Sequence, residues 1–144
     1  MPAITDFPAR GKVTALRDGG VVFEPYNTNY QLHLGTASKY DGPMNSPIFC
    51  HIKVTARRAW TVASGGNFVS PLFGPPRTIQ GRVKYADDKT LVVQAGMPIV
   101  VSLPDEEVAI DLTHGAVSTG LMINVLALPG ATFEFVGVPS VATA

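Results

Sequence analysis

The sequence predicts an all-β protein built from two similar five-stranded units. Apolar and polar residues alternate along most segments, as they do in half-buried strands. Clusters of glycine, proline, asparagine and aspartate separate these segments and are typical of turns. A repeat is the third observation, because Gly11-Lys12-Val13 returns as Gly81-Arg82-Val83 at an offset of 81 − 11 = 70. A repeat that keeps its order along the chain indicates duplication of one small unit.

The first unit, residues 1–64, is expected to contain five strands. In the third strand, Leu32 and Leu34 share one face and His33 lies on the other. In the fourth strand, Cys50 is expected in the core and its neighbour His51 on the surface, since adjacent strand residues point to opposite faces. The predicted strands are 10–16, 20–25, 29–35, 47–57 and 59–63.

The second unit, residues 79–144, repeats this pattern and ends in a small, apolar tail. Its segment Leu121–Val125 matches Ile48–Ile52 at an offset of 121 − 48 = 73. Asp105–Leu112 is the one candidate helix, because acidic residues favour a helix N-terminus. Residues 65–78 are rich in proline and glycine and are expected to form a strap pinned across both units. The predicted strands are 79–86, 89–95, 98–103, 120–128 and 131–136.

Each unit has a long gap after its third strand, at 36–46 and at 104–119. Five strands with that gap, the first opening on Gly11 or Gly81, resemble the OB-fold, a partly open five-stranded barrel. The chain thus resembles tandem OB-like small β-barrel proteins of uncharacterised function, and Phe68–Arg77 is similar to a segment of bacterial small-barrel proteins. The resemblance implies two tandem OB-like barrels and no activity. A single merged β-sandwich of the same strands remains an alternative.

The composition indicates a globular chain that stays out of membranes. Of its 144 residues, 46% are apolar and 15% are charged, which excludes intrinsic disorder of the whole chain. The single cysteine, Cys50, excludes an internal disulfide and gives no sign of an oxidising compartment. Met1–Lys12 has no secretory signal pattern, and no apolar run approaches the roughly 20 residues that span a bilayer. We therefore expect a cytoplasmic protein.

No residue pattern points to catalysis. The sequence has no Gly-x-Ser-x-Gly elbow, no phosphate-binding Gly-x-x-x-x-Gly-Lys-Ser/Thr loop and no His-Glu-x-x-His motif. Cys50 and His51 point apart on one strand, so they form no thiolate–imidazole pair. Asp105–Glu107 lacks the further ligands that a divalent cation needs. We expect no enzyme activity, no cofactor and no metal.

Self-association is the first expected function. In the fourth predicted strand of the second unit, Met122, Leu126 and Leu128 lie on the face opposite Leu121 and Ile123. A strand that is apolar on both faces is covered twice. Val92 and Val100 also point outward in this unit. The chain is therefore expected to form homo-oligomers as a structural or adaptor module, with Glu106 and Glu107 of one copy facing Arg57 and Arg58 of the next.

Binding of single-stranded nucleic acid is the alternative. Residues 1–76 carry seven basic and four acidic groups, +3 in sum, and residues 77–144 carry four basic and seven acidic groups, −3 in sum. The basic half also holds nine of the twelve aromatic residues. Single-strand binders combine a basic groove with aromatic faces for base stacking. The expected contacts are Phe49, Lys53, Arg57, Arg58 and Tyr26, whereas Phe23, Tyr30 and Trp60 are expected to face the core.

Overall fold

The structure is a computed structural model that describes residues 7–63, 65–86, 90–103, 110–111 and 119–138. Every regular element in this part of the chain is a β-strand, which confirms the predicted all-β class. The candidate helix Asp105–Leu112 lies largely outside it, and its two described residues are strand. The strands are β1 (Ala9–Arg17), β2 (Gly20–Pro25), β3 (Gln31–Gly35), β4 (Ile48–Val62), β5 (Phe68–Ser70), β6 (Phe73–Gly74), β7 (Thr78–Ala86), β8 (Thr90–Gln94), β9 (Pro98–Ser102), β10 (Ile110–Asp111), β11 (Met122–Ala127) and β12 (Thr132–Gly137).

The 15-residue strand β4 is the centre of the fold. It pairs antiparallel with β11 and then with β12, which follow one another along the chain. The prediction of two strands, 47–57 and 59–63, was wrong, because pairing continues through residue 58. The register shifts between the pairs of Arg58 and Ala56, which leaves Arg57 as a β-bulge. A bulge absorbs one extra residue without ending a strand.

The strands close two circuits of pairing around this central ribbon. In the first ring, β1, β2, β3 and β12 follow in order, and β4 closes the ring by pairing with β12 through residues 49–53 and with β1 through residues 48–50. In the second ring, β7, β8 and β9 are followed by residues 53–62 of β4 and by β11, which returns to β7. Each ring therefore takes one strand from the other half of the chain. The division into units at 1–64, 65–78 and 79–144 stays a prediction.

The two opening hairpins, β1–β2 and β7–β8, are built alike. A register shift follows Val13 in β1 and Val83 in β7, positions separated by 83 − 13 = 70. At Gly11 and Gly81, a Cβ atom would collide with a carbonyl oxygen of the neighbouring strand. Only glycine allows so close an approach of two backbones.

The pairing of these glycines sets the register of the next strand. Gly11 pairs with Ile48 and Gly81 with Ile123, an offset of 123 − 48 = 75. The offset of 73 in the sequence repeat predicted a pairing register that differs from this observed one by two residues. Because side chains alternate along a strand, a two-residue difference leaves the same face buried.

The strap of residues 65–78 lies against both rings. Its strand β5 pairs with β7 and its strand β6 pairs with β3. The backbone N–H of Val69 donates to the hydroxyl of Tyr30 over 3.0 Å, and the N–H of Gln31 donates to the carbonyl of Leu72 over 2.9 Å. These bonds join the strap to β3 and to the turn before it.

Burial confirms the core position of Cys50 but corrects three outward positions. Cys50 is fully buried, and burial raises the pKa of its thiol. His51, expected on the surface, is only 5% exposed, and the outward residues Val92 and Val100 are buried as well. The pattern placed these side chains outside the rings, but alternation alone does not say whether another segment covers an outer face.

Candidate functional site

The bulge at Arg57 places two adjacent arginines on the outside of the second ring. Arg57 and Arg58 are both exposed, although neighbouring strand residues normally point to opposite faces. Beyond the bulge, Ala59 and Thr61 face the core, so the inward positions change from even to odd numbers. Trp60, expected to face the core, therefore lies on the outer face and is half-buried.

Trp60 begins a row of side chains that crosses four strands. Trp60 pairs with Asn124, Asn124 with Gln80, and Gln80 with Phe68. Directly paired residues of antiparallel strands share a face. Neighbouring strands lie about 4.8 Å apart, so the two aromatic rings are separated by roughly 14 Å across the sheet. We call this surface the arginine face; it consists of Arg57, Arg58, Trp60, Phe68, Gln80, Arg82, Asn124 and Leu126.

The side chains of the arginine face are held in defined positions. The guanidinium of Arg58 lies 5.8 Å from the centroid of the Trp60 ring, within cation–π range. The side-chain amide of Gln80 donates to the side-chain oxygen of Asn124. Arg82 donates to the carbonyl of Gly120 over 2.9 Å. Phe68 is 37% exposed, so one side of its ring is open to solvent.

The charge of this face is unbalanced. Within the described parts of the chain, the two ion pairs lie elsewhere, Lys12 with Glu24 at 3.4 Å and Lys53 with Glu134 at 3.3 Å. Neither Arg57 nor Arg58 has an ion pair there, and the one carboxylate residue paired with a member of the face is Asp111 of β10, in register with Trp60. Three arginines that outnumber the carboxylates at this face create a local positive potential even in a chain of zero net charge.

The predicted nucleic-acid contacts fall into two groups. Arg57 and Arg58 lie on the arginine face, with Lys53 further along the outer side of β4. Phe49 is half-buried near the start of β4, eleven residues from Trp60 and thus about 36 Å away along the strand. Tyr26 is exposed beyond β2, with the guanidinium of Arg10 lying 4.6 Å from its ring centroid.

The predicted self-association contacts are only partly open. Met122 is 4% exposed, so it is covered within the chain. Leu126 is half-buried and pairs with Arg58, which places it inside the arginine face. Leu128 is 40% exposed and follows β11. Glu106 and Glu107 lie outside the described residues.

Other chemistry in the described chain is sparse. Its His, Cys, Asp and Glu side chains form no group of three that could hold a metal ion. Burial lowers the pKa of His51, with Glu134 raising it and Lys53 lowering it, and burial and Arg17 lower the pKa of His33. Among described residues, no helix is long and apolar enough to cross a membrane.

No protein-family model, curated protein or solved structure matches this chain. Any functional conclusion must therefore follow from the chemistry of its own residues.

The structure adds residues that sequence patterns missed. Trp60, Phe68, Gln80, Arg82 and Asn124 join the arginines only through pairing between strands distant in sequence. One signal was available for Trp60. Two consecutive arginines interrupt the alternation of β4, and such an interruption is typical of a bulge that reverses the inward positions.

Proposed function

We propose that the protein binds single-stranded nucleic acid on the arginine face and has no catalytic role. The observation that carries this proposal is the combination of Arg57 and Arg58, exposed and without ion pairs among described residues, with the aromatic rings of Trp60 and Phe68. Single-strand binders use cations for the phosphates and aromatic rings for the bases. The face offers both on one sheet surface.

Each group on the face has a distinct role in this proposal. Arg57 and Arg58 contact phosphates, because guanidinium groups match phosphate oxygens in charge and geometry. Trp60 and Phe68 stack on bases, which a single strand exposes and a duplex does not. The amides of Asn124 and Gln80 lie between the two rings and hydrogen-bond to base edges.

The local charge matters more for this proposal than the total charge. A pI of about 6.8 is low for a nucleic-acid-binding protein. However, phosphate contacts form at short range, because salt screens charges beyond about 8 Å at physiological ionic strength. Glu24 and Glu134 of the first ring form ion pairs with Lys12 and Lys53 and lie away from the two arginines.

The test is binding of a labelled oligonucleotide of mixed sequence, about fifteen nucleotides long, measured by fluorescence anisotropy over a range of salt concentrations. The Arg57→Ala/Arg58→Ala variant should bind more weakly. Its log–log salt slope should be smaller by about 1.4, since each phosphate contact on a single strand contributes about 0.7. Trp60→Ala should weaken binding roughly tenfold to hundredfold through lost stacking.

Arg17→Ala/Lys39→Ala is the matched control, because it removes the same charge from the first ring. It should leave affinity and salt slope close to those of the unaltered protein. An equal loss in both double variants would mean that only total charge matters. Unchanged binding after the Arg57/Arg58 change would exclude the arginine face as the site.

Self-association through the second ring is a second candidate, supported by the exposed Leu128 and by Leu126 beside it. Met122, the third residue of that hypothesis, is buried and contributes little contact area. Leu126→Asp should dissolve an oligomer formed this way and leave a folded monomer. Light scattering that gives the same mass for both proteins would exclude this interface. The cations disfavour a symmetric contact, because two copies would bring Arg57 and Arg58 against their own equivalents.

We further propose that the two rings are OB-like barrels that exchange their fifth strands. In each ring the third strand, β3 or β9, pairs in parallel with the exchanged strand, which is β12 in the first ring and residues 53–62 of β4 in the second. The fourth strand, which is the start of β4 or β11, pairs with the first strand of its ring. This order, with equal hairpin registers, supports a five-stranded Greek-key barrel. An experimental structure in which β12 pairs with β9 instead of β3 would contradict the exchange.

A further inference from the structure

The two rings are closed to different extents. In the second ring, β9 pairs with β4 through three consecutive residues, Lys53, Val54 and Thr55. In the first ring, β3 pairs with β12 only at Gly35 and Thr132. One further bond, from the N–H of Gly35 to the carbonyl of Ala131 at 2.8 Å, lies at the same point. Strand β3 ends at this point and β12 begins there, so the two parallel strands overlap at this pair alone.

Among the described strands, one edge of β12 is free. Residues 133–137 pair with β4 on one side, and on the other side they pair with no described strand. A free edge presents unpaired N–H and C=O groups that can accept another strand. Phe135 is 41% exposed and Val136 is 51% exposed. Glu134, the one charged side chain of residues 133–137, is held in the ion pair with Lys53 at 3.3 Å, so its charge protects this edge less than a free carboxylate would.

A groove of about 770 Å³ runs along the free edge. Its opposite wall is formed by the β1–β2 turn, by β3 and by residues 36–41. Aromatic rings line the inner side: Tyr40 lies 5.5 Å from Phe133 and 5.7 Å from Phe135 between ring centroids. The outer side is polar, with the Lys53–Glu134 ion pair and His33. An extended chain in this groove would meet an apolar side and a polar side alternately.

The charge of the groove argues against a nucleic acid there. Its lining includes three cationic side chains, Arg17, Lys39 and Lys53, and three carboxylates, Asp18, Asp41 and Glu134. These charges balance, so a polyanion gains nothing from entering. A neutral chain that forms backbone hydrogen bonds suits this lining better.

We propose that the groove binds an extended peptide segment of a partner protein, which adds as a strand to the free edge of β12. The peptide is neutral over about five residues, matching the length of the free edge. It has apolar side chains at alternate positions, directed toward Tyr40, Phe133 and Phe135, and small polar ones between them. A single residue pair closes the first ring between β3 and β12. With the added strand, a continuous ladder of backbone hydrogen bonds closes it. This site is separate from the arginine face.

The test uses a synthetic peptide of about seven residues in which valine and threonine alternate, added to the full ¹⁵N-labelled chain. Backbone amide shifts are followed by NMR at millimolar peptide, where weak binding is detectable. Shifts should be confined to residues 133–137, His33, Leu34 and the 36–41 segment. An absence of shifts, or shifts on the arginine face, would overturn the proposal.

The matched control is the same peptide with alternate backbone nitrogens methylated, which removes hydrogen-bond donors and keeps the side chains. It should produce no shifts if strand addition is the mode of binding. Equal shifts with both peptides would overturn strand addition. Phe135→Ala should weaken binding at least fivefold, whereas Phe73→Ala, at an exposed aromatic residue of the strap, should not.

Light scattering without peptide distinguishes a second copy of the chain from a partner peptide. A monomer is expected, because the proposal reserves the edge that no described strand pairs with for a partner peptide. A dimer that the valine–threonine peptide fails to dissociate would mean that β12 pairs with itself, and would overturn the peptide proposal.

Discussion

The two rings have the same order of strands, yet they offer opposite kinds of surface. The first ring is closed by one residue pair and borders a groove whose charges balance. The second ring is closed by three pairs and carries exposed arginines on its outer face. Both surfaces involve the same strand, β4, at different points along its length. The chemistry of each surface therefore depends on local features, a bulge in one ring and a short closure in the other, and not on the strand order.

Each ring also contains a buried polar side chain that lowers the free energy of unfolding. Strand β4 carries one buried polar side chain in each ring, His51 in the first and Thr61 in the second. The Nδ1 atom of His51 and the Oγ1 atom of Thr61 have no hydrogen-bond partner among described residues. Buried polar groups without partners reduce the free energy of unfolding. Because His51 and Thr61 lie in different rings, a substitution at one of these residues perturbs its own ring separately from the other.

The largest expected effect comes from Phe133→Ala. Phe133 is 6% exposed on β12, and its ring centroid lies 5.8 Å from that of Phe23 in β2. Truncation should lower the free energy of unfolding by about 3–5 kcal/mol, because a large cavity opens in the first ring. Denaturant unfolding measures the loss. Hydrogen exchange then shows whether β1–β3 lose protection before β7–β9.

Equal loss of protection in both rings after this change would mean that they unfold as one unit. The two rings would then not be separate units of unfolding, although their surfaces would still differ in chemistry. Phe73→Ala, at a side chain that is 59% exposed, is the control and should change stability by less than about 0.5 kcal/mol.

Gly11→Ala and Gly81→Ala test whether the hairpins of the two rings are equivalent. At each position the new Cβ would collide with a backbone carbonyl of the facing strand, which cannot move aside as a side chain can. We expect losses of about 3 kcal/mol each by thermal or denaturant unfolding. Gly66→Ala is the control, since nothing lies within 4 Å of its added Cβ. A loss at only one of the glycines would show that the hairpins differ in spite of equal registers.

Acid should weaken the first ring before the second. Burial lowers the pKa of His51 below its ordinary value of 6.5, and burial with Arg17 lowers that of His33. The unfolded chain therefore binds protons first as the pH falls through 6.5, so the free energy of unfolding decreases from there until the folded-state pKa is passed. Hydrogen exchange between about pH 7 and pH 5 should show early loss of protection in β1–β3.

His51→Gln should reduce this pH dependence, because glutamine does not titrate. His33→Gln should reduce it less, since His33 is more exposed than His51. A pH profile of stability that both variants leave unchanged would mean that other groups cause the acid sensitivity.

The smallest expected effect is that of Thr61→Val in the second ring. Valine has nearly the shape of threonine and lacks the buried hydroxyl that has no described partner. The free energy of unfolding should rise by about 1 kcal/mol. Thr55→Val, at an exposed position of the same strand, is the control and should have little effect. A loss of stability in Thr61→Val would show that the hydroxyl does have a partner in the folded chain.

Much of the fold was predictable because alternation and turns are local signals. The predicted strand 20–25 coincides with β2, and most other strand boundaries lie within two residues of those observed. The break predicted at residue 58 was wrong, because a bulge and a strand end interrupt alternation in the same way. Trp60 was misplaced for the same reason, since the bulge at Arg57 reverses the inward positions after it.

The candidate site was predictable only in part. Arg57 and Arg58 were found from their charge, which is visible in sequence. Phe68, Gln80 and Asn124 were not, because nothing local indicates that their strands lie side by side. His51 was correctly placed opposite Cys50 but wrongly expected at the surface, since local alternation cannot show that another segment covers that side.

The sequence by itself determined the all-β class and the position of most strands. These features depend on interactions between near neighbours in the chain. Only the tertiary structure decided that β12 closes the first ring and that β4 serves both. Pairing between strands distant in sequence depends on which free edges meet when the whole chain packs. The alternation of side chains along a strand has a period of two residues whichever strand is its partner, so it does not identify that partner.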